Sequence, residues 1–287
     1  MPYDRFPASA MSEPTRRDID ASQAMEKPQS GSQRSRWSVL EWESVMKPHI
    51  EPSTIPIYAT GEHECAYLPD RLARTLFVDP RQPLDSRIYS SLAEQGFRRS
   101  GDYIYRPGCH ACNACKSLRI PVGQFQLSRR HRRCLSVNAR IQVQAVPAEF
   151  QAEHFSLYQH YLANRHVGSQ MSNPTPQQYL EFLATSWGIS RFYEFREDDQ
   201  LLAVSVVDEL HNGLSAIYTF YDSTLGKRSL GTLSIIWLIQ ETRRLKLDYL
   251  YLGYWIAESR KMRYKADFKP HEIFDGQTWQ PVPSANG

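Results

Sequence analysis

Residues 213–255 constrain the fold more than any other part of the chain. Two strand-like runs, GLSAIYTFY (213–221) and YLYLGYW (249–255), flank the helical run LSIIWLIQETRRLKL (233–247). The flanking runs are rich in aromatic and branched residues, which fit a pleated, half-buried surface. A strand, a long helix and a second strand pack side by side through a right-handed crossover, which makes the two strands parallel. Two more runs precede them, SRFYEF (190–195) and LLAVSVVDEL (201–210), joined by the short polar segments REDDQ and HN. Connections this short join antiparallel neighbours. A meander feeding a crossover helix and a parallel strand predicts one mixed sheet.

The remaining segments read as shorter elements. Helices are predicted over 149–164 and from Pro176 to about 186, with Pro176 suited to the first helical turn. SRKMRYKA (259–266) reads as a helix, and HEIF with TWQPV as a closing hairpin. Upstream, IPIYA (55–59) is a short strand and 85–95 a helix stopped by Gly96. FRRSGDYIYR (97–106) is a hairpin turning at Ser100, Gly101 and Asp102. SLRIPV (117–122) is a strand, Ser128 caps the basic helix RRHRRCLSVN, and RIQVQAV alternates as a half-buried strand. Residues 1–52 hold six of the 18 prolines and eight serines, a composition unable to bury enough surface to order itself. The expected organisation is α+β: a flexible extension over 1–52, a cysteine-containing basic domain over 53–147, and a mixed-sheet domain over 148–287.

Several features bear on chemistry. Residues 96–140 carry nine Arg and one Lys against Asp102 alone, a net +9 in a chain of net +3. The rest is therefore acidic, and a local basic segment suits a polyanion, with Arg129, Arg130, Arg132 and Arg133 its densest cluster. Cys109, Cys112 and Cys115 form C-x2-C-x2-C, with Cys65 the natural fourth member. That spacing suits Zn or an iron–sulfur cluster, or equally four reduced structural thiols. Cys134 falls on the basic helix and reads as a packed thiol. TLGKRSLGT (224–232) joins a strand to a helix, and its N–H groups around Lys227, Arg228, Ser229 and Gly231 suit phosphate. An ordinary loop and cap would look the same. Tyr218, Phe220, Tyr221, Tyr249, Tyr251, Tyr254, Trp255 and Tyr264 form an aromatic set, as core or as a stacking surface.

Other classes are excluded. No run approaches the roughly 18 apolar residues of a membrane helix, and no apolar secretory core follows the N-terminus, so a cytoplasmic location is expected. Neither G-x-S-x-G nor H-E-x-x-H is present, which removes the common hydrolase machineries. A transferase acting on an already activated substrate fits better.

Long motifs then carry a family resemblance. CAYLPDRLARTLF, GFRRSGDYIYRPGCHACNAC, SLRIPV, YTFYD, SLGTLSIIWLIQ, YLYLGYWI and KMRYKADFKP resemble, in collinear order over about 55–275, the aminoacyl-tRNA–protein transferases, with the bacterial aspartate/glutamate leucyltransferase branch nearest. The resemblance implies an acetyltransferase-like (GNAT-like) second half. It implies leucyl-tRNA and proteins beginning with Asp or Glu as substrates, and a leucylated product destined for degradation through the N-degron (N-end rule) pathway. No cofactor beyond the aminoacyl-tRNA is implied for the chemistry. By the same resemblance the acceptor end of the tRNA lies near Tyr218, Tyr221, Gly253, Tyr254 and Trp255, with Asp222 and Glu258 as proton-acceptor candidates. Arg71, Arg74, Arg98 and Arg106 are candidates for reading the acidic N-terminus. Where eukaryotic relatives have C-x-Y-C, Cys65, Ala66 and Tyr67 are followed here by Leu68. Arginyl-tRNA as the donor, a coenzyme A-dependent acetyltransferase and an RNA-binding zinc knuckle stand as alternatives.

Overall fold

The computed structural model describes residues 55–165 and 174–282; the extension read over 1–52 lies outside them. The strands are β1 (Ile57–Ala59), β2 (His63–Glu64), β3 (Leu72–Ala73), β4 (Thr75–Val78), β5 (Arg98–Ser100), β6 (Tyr103–Pro107), β7 (Lys116–Pro121), β8 (Gln142–Pro147), β9 (Ser190–Glu197), β10 (Gln200–Leu210), β11 (Gly213–Tyr221), β12 (Tyr249–Trp255), β13 (Glu272–Phe274) and β14 (Trp279–Pro281). The α-helices are α1 (Ser86–Glu94), α2 (Arg129–Val137), α3 (Ala152–Arg165), α4 (Pro176–Leu183) and α5 (Leu230–Arg244).

The main sheet has eight strands in the order β14-β13-β7-β12-β11-β10-β9-β8. The meander and crossover expected from the sequence form its centre: β9, β10 and β11 pair antiparallel, and β11 pairs parallel with β12. β7 and β8 also belong to this sheet, so it draws strands from both sides of Pro147, where the sequence divides the chain. No local signal could show this. β7 pairs with β12, about 130 residues later, because both bury apolar side chains under α5 (Leu118, Ile120, Leu250 and Leu252).

Each face of the sheet has its own core. α5 and α2 cover one face, where Leu233, Ile236 and Ile239 of α5 meet Phe195, Val207 and Leu214. α3 and α4 cover the other, with Tyr158, Leu162, Tyr179 and Leu183 on Phe192, Val204 and Phe220. β10 serves both because it is buried along nearly its whole length. Bulges at Leu201/Ala203 and Val206/Val207 shift its alternation. The helix starts follow their caps: Ser128 and Thr175 make capping boxes with His131 and Gln178, and Asp85 accepts from the Ile88 N–H. SRKMRYKA is not an α-helix; only a 3₁₀ turn forms at Arg263–Asp267. A highly cationic run of one or two turns lacks the length to offset helix nucleation.

A smaller sheet, β1-β4-β6-β5, is locked to the main one by charge. Arg99 of β5 grips Asp208 of β10 through Nε and Nη2 at 2.5 and 2.6 Å. Both side chains are fully buried, and Ser190 and the Leu183 carbonyl complete the shell.

Candidate functional site

β11 and β12 are hydrogen-bond partners only over Gly213–Ser215 and Tyr249–Tyr251; beyond that the two strands part. On its other side β12 carries a register shift between Tyr251 and Gly253, and Gly253 adopts φ +76, a backbone conformation that favours glycine. The parted ends open a cleft of about 810 Å³, within the range of small-ligand sites. Tyr218, Thr219 and Tyr221 line one wall, and Leu252, Gly253 and Tyr254 the other. The start of α5 (Ser229, Leu230, Gly231 and Thr232) closes one end.

The turn before α5 is built locally. Asp222 accepts from the Thr224 N–H at 2.9 Å and hydroxyl at 2.6 Å, starting a 3₁₀ turn over Ser223–Arg228. Ser229 then takes a left-handed conformation (φ 54) that redirects the chain into α5. The first N–H groups of α5, at Leu230 and Gly231, have no acceptor within the helix, and the helix dipole makes that end favourable to anions. Gly231 is the second residue of α5, half-buried rather than on a surface turn. A Cβ there would lie 3.4 Å from the Tyr221 ring. Tyr221 is steadied by Arg165, whose Nη2 donates to its hydroxyl at 3.0 Å, and by the Tyr161 ring at 5.0 Å.

The basic helix α2 lies against this turn. The Cys134 thiol sits 3.8 Å from the carbonyls of Arg228 and Ser229, and Asn138 donates to the Arg228 carbonyl at 2.9 Å. Arg129, Arg130, Arg132 and Arg133 are exposed on its outer face; Arg130 also lies 3.5 Å from Asp267. The basic segment is not all surface, however. Arg98, Arg99 and Arg119 are buried. Arg119 pairs with Glu272 at 2.7 Å and stacks on Tyr249 and Trp279. That cluster takes Tyr249 and Tyr251 away from the cleft.

The cleft therefore gathers Tyr218, Tyr221, Ser229, Gly231, Gly253, Tyr254, Glu258, Tyr264 and Arg98 from the sequence-derived candidates. The others are not in its walls. Asp222 is held by its turn. Trp255, one residue on from Tyr254, faces the opposite side and packs on the core. Arg228 is tied to Glu197 at 2.7 Å and to Asn138 at 2.8 Å, and Lys227 is exposed outside the cleft. Arg71 donates to the Cys112 sulfur at 3.3 Å, Arg74 pairs with His110 at 2.6 Å, and Arg106 covers the Phe97 ring. The Tyr254 hydroxyl donates to the Gly96 and Tyr105 carbonyls.

Lys265 and Tyr161 escaped the sequence reading. Lys265 sits in the 3₁₀ turn and is buried. Its Nζ donates to the Tyr254 carbonyl at 2.7 Å and would lie 3.7 Å from a Cβ on Gly253. Burial, with Arg98's positive charge, pulls its ammonium down to about 7. Within KMRYK nothing separates it from its cationic neighbours, because only the turn decides which points inward.

The cysteines Cys65, Cys109, Cys112 and Cys115 are free and half-buried. Cys65, Cys112 and Cys115 pack with Leu68, Ile256 and Met262. Burial pushes the Cys115 thiol up to about 12, with Cys65, Cys109 and Cys112 adding to it. Among the described residues, no group of three or more His, Cys, Asp or Glu is arranged to hold a metal ion. On that geometry no step is assigned to Zn or an iron–sulfur cluster. Cys134 is buried, as expected of a packed thiol.

Comparison with known proteins decides the family. The families described as "Arginine-tRNA-protein transferase, N terminus" and "Arginine-tRNA-protein transferase, C terminus" match residues 63–133 and 153–275. The chain belongs to the arginine-tRNA–protein transferase family. Relatives within it carry a narrower name. An "Aspartate/glutamate leucyltransferase" of Alkalilimnicola ehrlichii is 57% identical, covering 79% of this chain and 96% of the relative. Proteins of the same name from Pseudomonas fluorescens and Alcanivorax borkumensis are 48% and 47% identical, covering 80% and 82% of this chain and 97% of each relative. Both family matches lie in this chain, the N-terminal one first. No helix among the described residues is long and apolar enough to cross a membrane.

Proposed function

We propose that this chain transfers leucine from leucyl-tRNA to the α-amino group of proteins that begin with Asp or Glu, leaving a leucylated N-terminus that marks them for degradation through the N-degron pathway. The observation that carries the reading is the cleft at the parting of β11 and β12, which joins an anion-favouring helix start to an aromatic wall. The names of the relatives suggest leucine and the Asp or Glu acceptors, and the family name suggests an aminoacyl-tRNA donor. In this reading the terminal phosphate of the tRNA sits at the N–H groups of Leu230 and Gly231, with Ser229 beside it. The terminal adenosine stacks on Tyr221 or Tyr218. The exposed arginines of α2 receive the backbone further along.

The chemistry asks little of the protein. The leucyl ester is already activated, and an α-amine with a pKa near 7.7–8.0 is partly free base at neutral pH. Its nitrogen bonds to the ester carbonyl carbon, the carbon–oxygen bond to the ribose breaks, and the ribose oxygen takes up the proton the amine loses. Alignment supplies much of the rate, and backbone N–H groups near Gly253 stabilise the oxyanion. Glu258, exposed at the rim of the cleft, is the remaining proton-acceptor candidate. The test is transfer of labelled leucine and labelled arginine from their charged tRNAs to a peptide beginning with Asp, with acetyl-CoA as a third donor. Leucine transfer alone supports the reading; arginine or acetyl transfer in its place overturns it.

A further inference from the structure

Arg98 and its neighbour Arg99 leave β5 on opposite faces and meet opposite fates. Arg99 presents its Nε–Nη2 edge to Asp208, two parallel hydrogen bonds in a fully buried pair. Arg98 is 4% exposed, and its Nη1 is fixed by the carbonyls of Ala93 and Phe97. The same Nε–Nη2 edge on Arg98 is buried with no hydrogen-bond partner. Its guanidinium lies over the Tyr251 ring at 5.3 Å. Arg119, the third buried arginine of this segment, also has its acid, Glu272. Among the described residues Arg98 is the buried arginine of this segment without a carboxylate.

Lys265, a second buried cation, lines the same cleft. Its Nζ makes one hydrogen bond, to the Tyr254 carbonyl, and an ammonium has three to give. Burying unpaired cations side by side is costly, and a fold retains such an arrangement readily where a ligand supplies the missing anion. The Nε–Nη2 edge of a guanidinium matches the two oxygens of a carboxylate.

We propose that Arg98 and Lys265 form the receptor for the side-chain carboxylate of the acceptor's N-terminal residue. The inference rests on the functional reading above and deepens it. Arg98, clamped through Nη1, fixes the carboxylate plane. Lys265, on a flexible four-carbon stem, follows the one-methylene difference between Asp and Glu. Tyr254, whose hydroxyl binds the Gly96 and Tyr105 carbonyls, ties the β12 wall to the strands around Arg98. The tRNA phosphates have a separate place at the start of α5, a different element of the cleft. A phosphate at Arg98 and Lys265 is therefore the competing outcome to be tested.

The test uses the full chain with Lys265→Met and Arg98→Lys. Lys265→Met removes the ammonium at nearly constant length. Arg98→Lys keeps the charge but loses the two-pronged edge. Labelled-leucine transfer gives KM for an Asp-initial peptide and, separately, for leucyl-tRNA, and thermal melting checks the fold. The expected result is a peptide KM raised about tenfold or more with the leucyl-tRNA KM changed less than about twofold. Inhibition by Asp- and Asn-initial competitor peptides should also converge, because the carboxylate no longer counts. If Arg98→Lys fails to fold, Lys265→Met carries the same comparison, since it removes a buried unpaired charge. An unaltered peptide KM, or a rise in the leucyl-tRNA KM instead, overturns the receptor. Absence of leucine transfer by the unaltered protein overturns the functional reading beneath it.

Discussion

Gly231→Ala separates a ligand contact from a packing contact at the start of α5. The added Cβ would lie 3.4 Å from Cε1 and 3.8 Å from Cζ of Tyr221, with no backbone atom nearer. That is ordinary van der Waals contact, so overpacking costs little. Gly231 lies inside a helix, where alanine gains up to about 1 kcal/mol over glycine. Stability should therefore hold or rise, by zero to about 4 °C in melting temperature for a chain of this size. If a tRNA phosphate approaches the N–H groups of Leu230 and Gly231, the same methyl stands in its way. Losing one charge-assisted hydrogen bond costs roughly 1.5–3 kcal/mol, which is tenfold to a hundredfold in the leucyl-tRNA KM. Melting by circular dichroism and labelled-leucine transfer on one preparation read both quantities. A melting temperature that falls together with activity would assign Gly231 to packing. Unchanged activity would remove the phosphate from this helix start. Gly231→Val is the less informative variant, since its branched methyls would press on the Tyr221 ring and disturb both.

Three further outcomes are expected. Replacing Arg129, Arg130, Arg132 and Arg133 by Ala should weaken tRNA binding and flatten its salt dependence, because fewer counterions are released; an unchanged slope in filter binding from 50 to 200 mM salt would place the tRNA elsewhere. Asp208→Asn should destabilise the protein by about 3–5 kcal/mol by leaving Arg99 buried without its acid, read from urea midpoints, and a loss below 1 kcal/mol would contradict the pairing. Lys265, held at about 7, is near 10.4 unfolded, so between these values the unfolded chain binds the extra proton. Stability should then rise with pH by up to about 1.4 kcal/mol per unit from this group. Arg98 and the Tyr254 carbonyl face it directly, and Glu258, Arg260 and Lys261 line the same cleft. Urea midpoints from pH 7.5 to 9 should show that rise in the unaltered protein relative to Lys265→Met, and parallel profiles would show that Lys265 is not the titrating group.

Sequence by itself determined the elements whose causes are local. The Asp85, Ser128 and Thr175 caps, the hairpin at Gly101 and the meander through β11 follow from residues a few positions apart. So does the parallel pairing of β11 with β12, because a strand, a long helix and a strand close in one hand. The family motifs were also legible, and with them the region of the cleft. Only the tertiary structure decided which polar groups face inward together. Arg98 and Arg99 are adjacent and chemically identical, yet one meets Asp208, 109 residues away, and the other is buried with its Nε–Nη2 edge unpaired. Strand alternation separates them, but the partner each finds depends on how the small sheet docks against the main one. The same holds for Arg228, spent on Glu197, and for Lys265, singled out of a cationic run by one 3₁₀ turn. A side chain's charge is written in the sequence. Whether that charge is paired, buried or left waiting for a ligand depends on contacts between segments far apart in the chain, which no local pattern encodes.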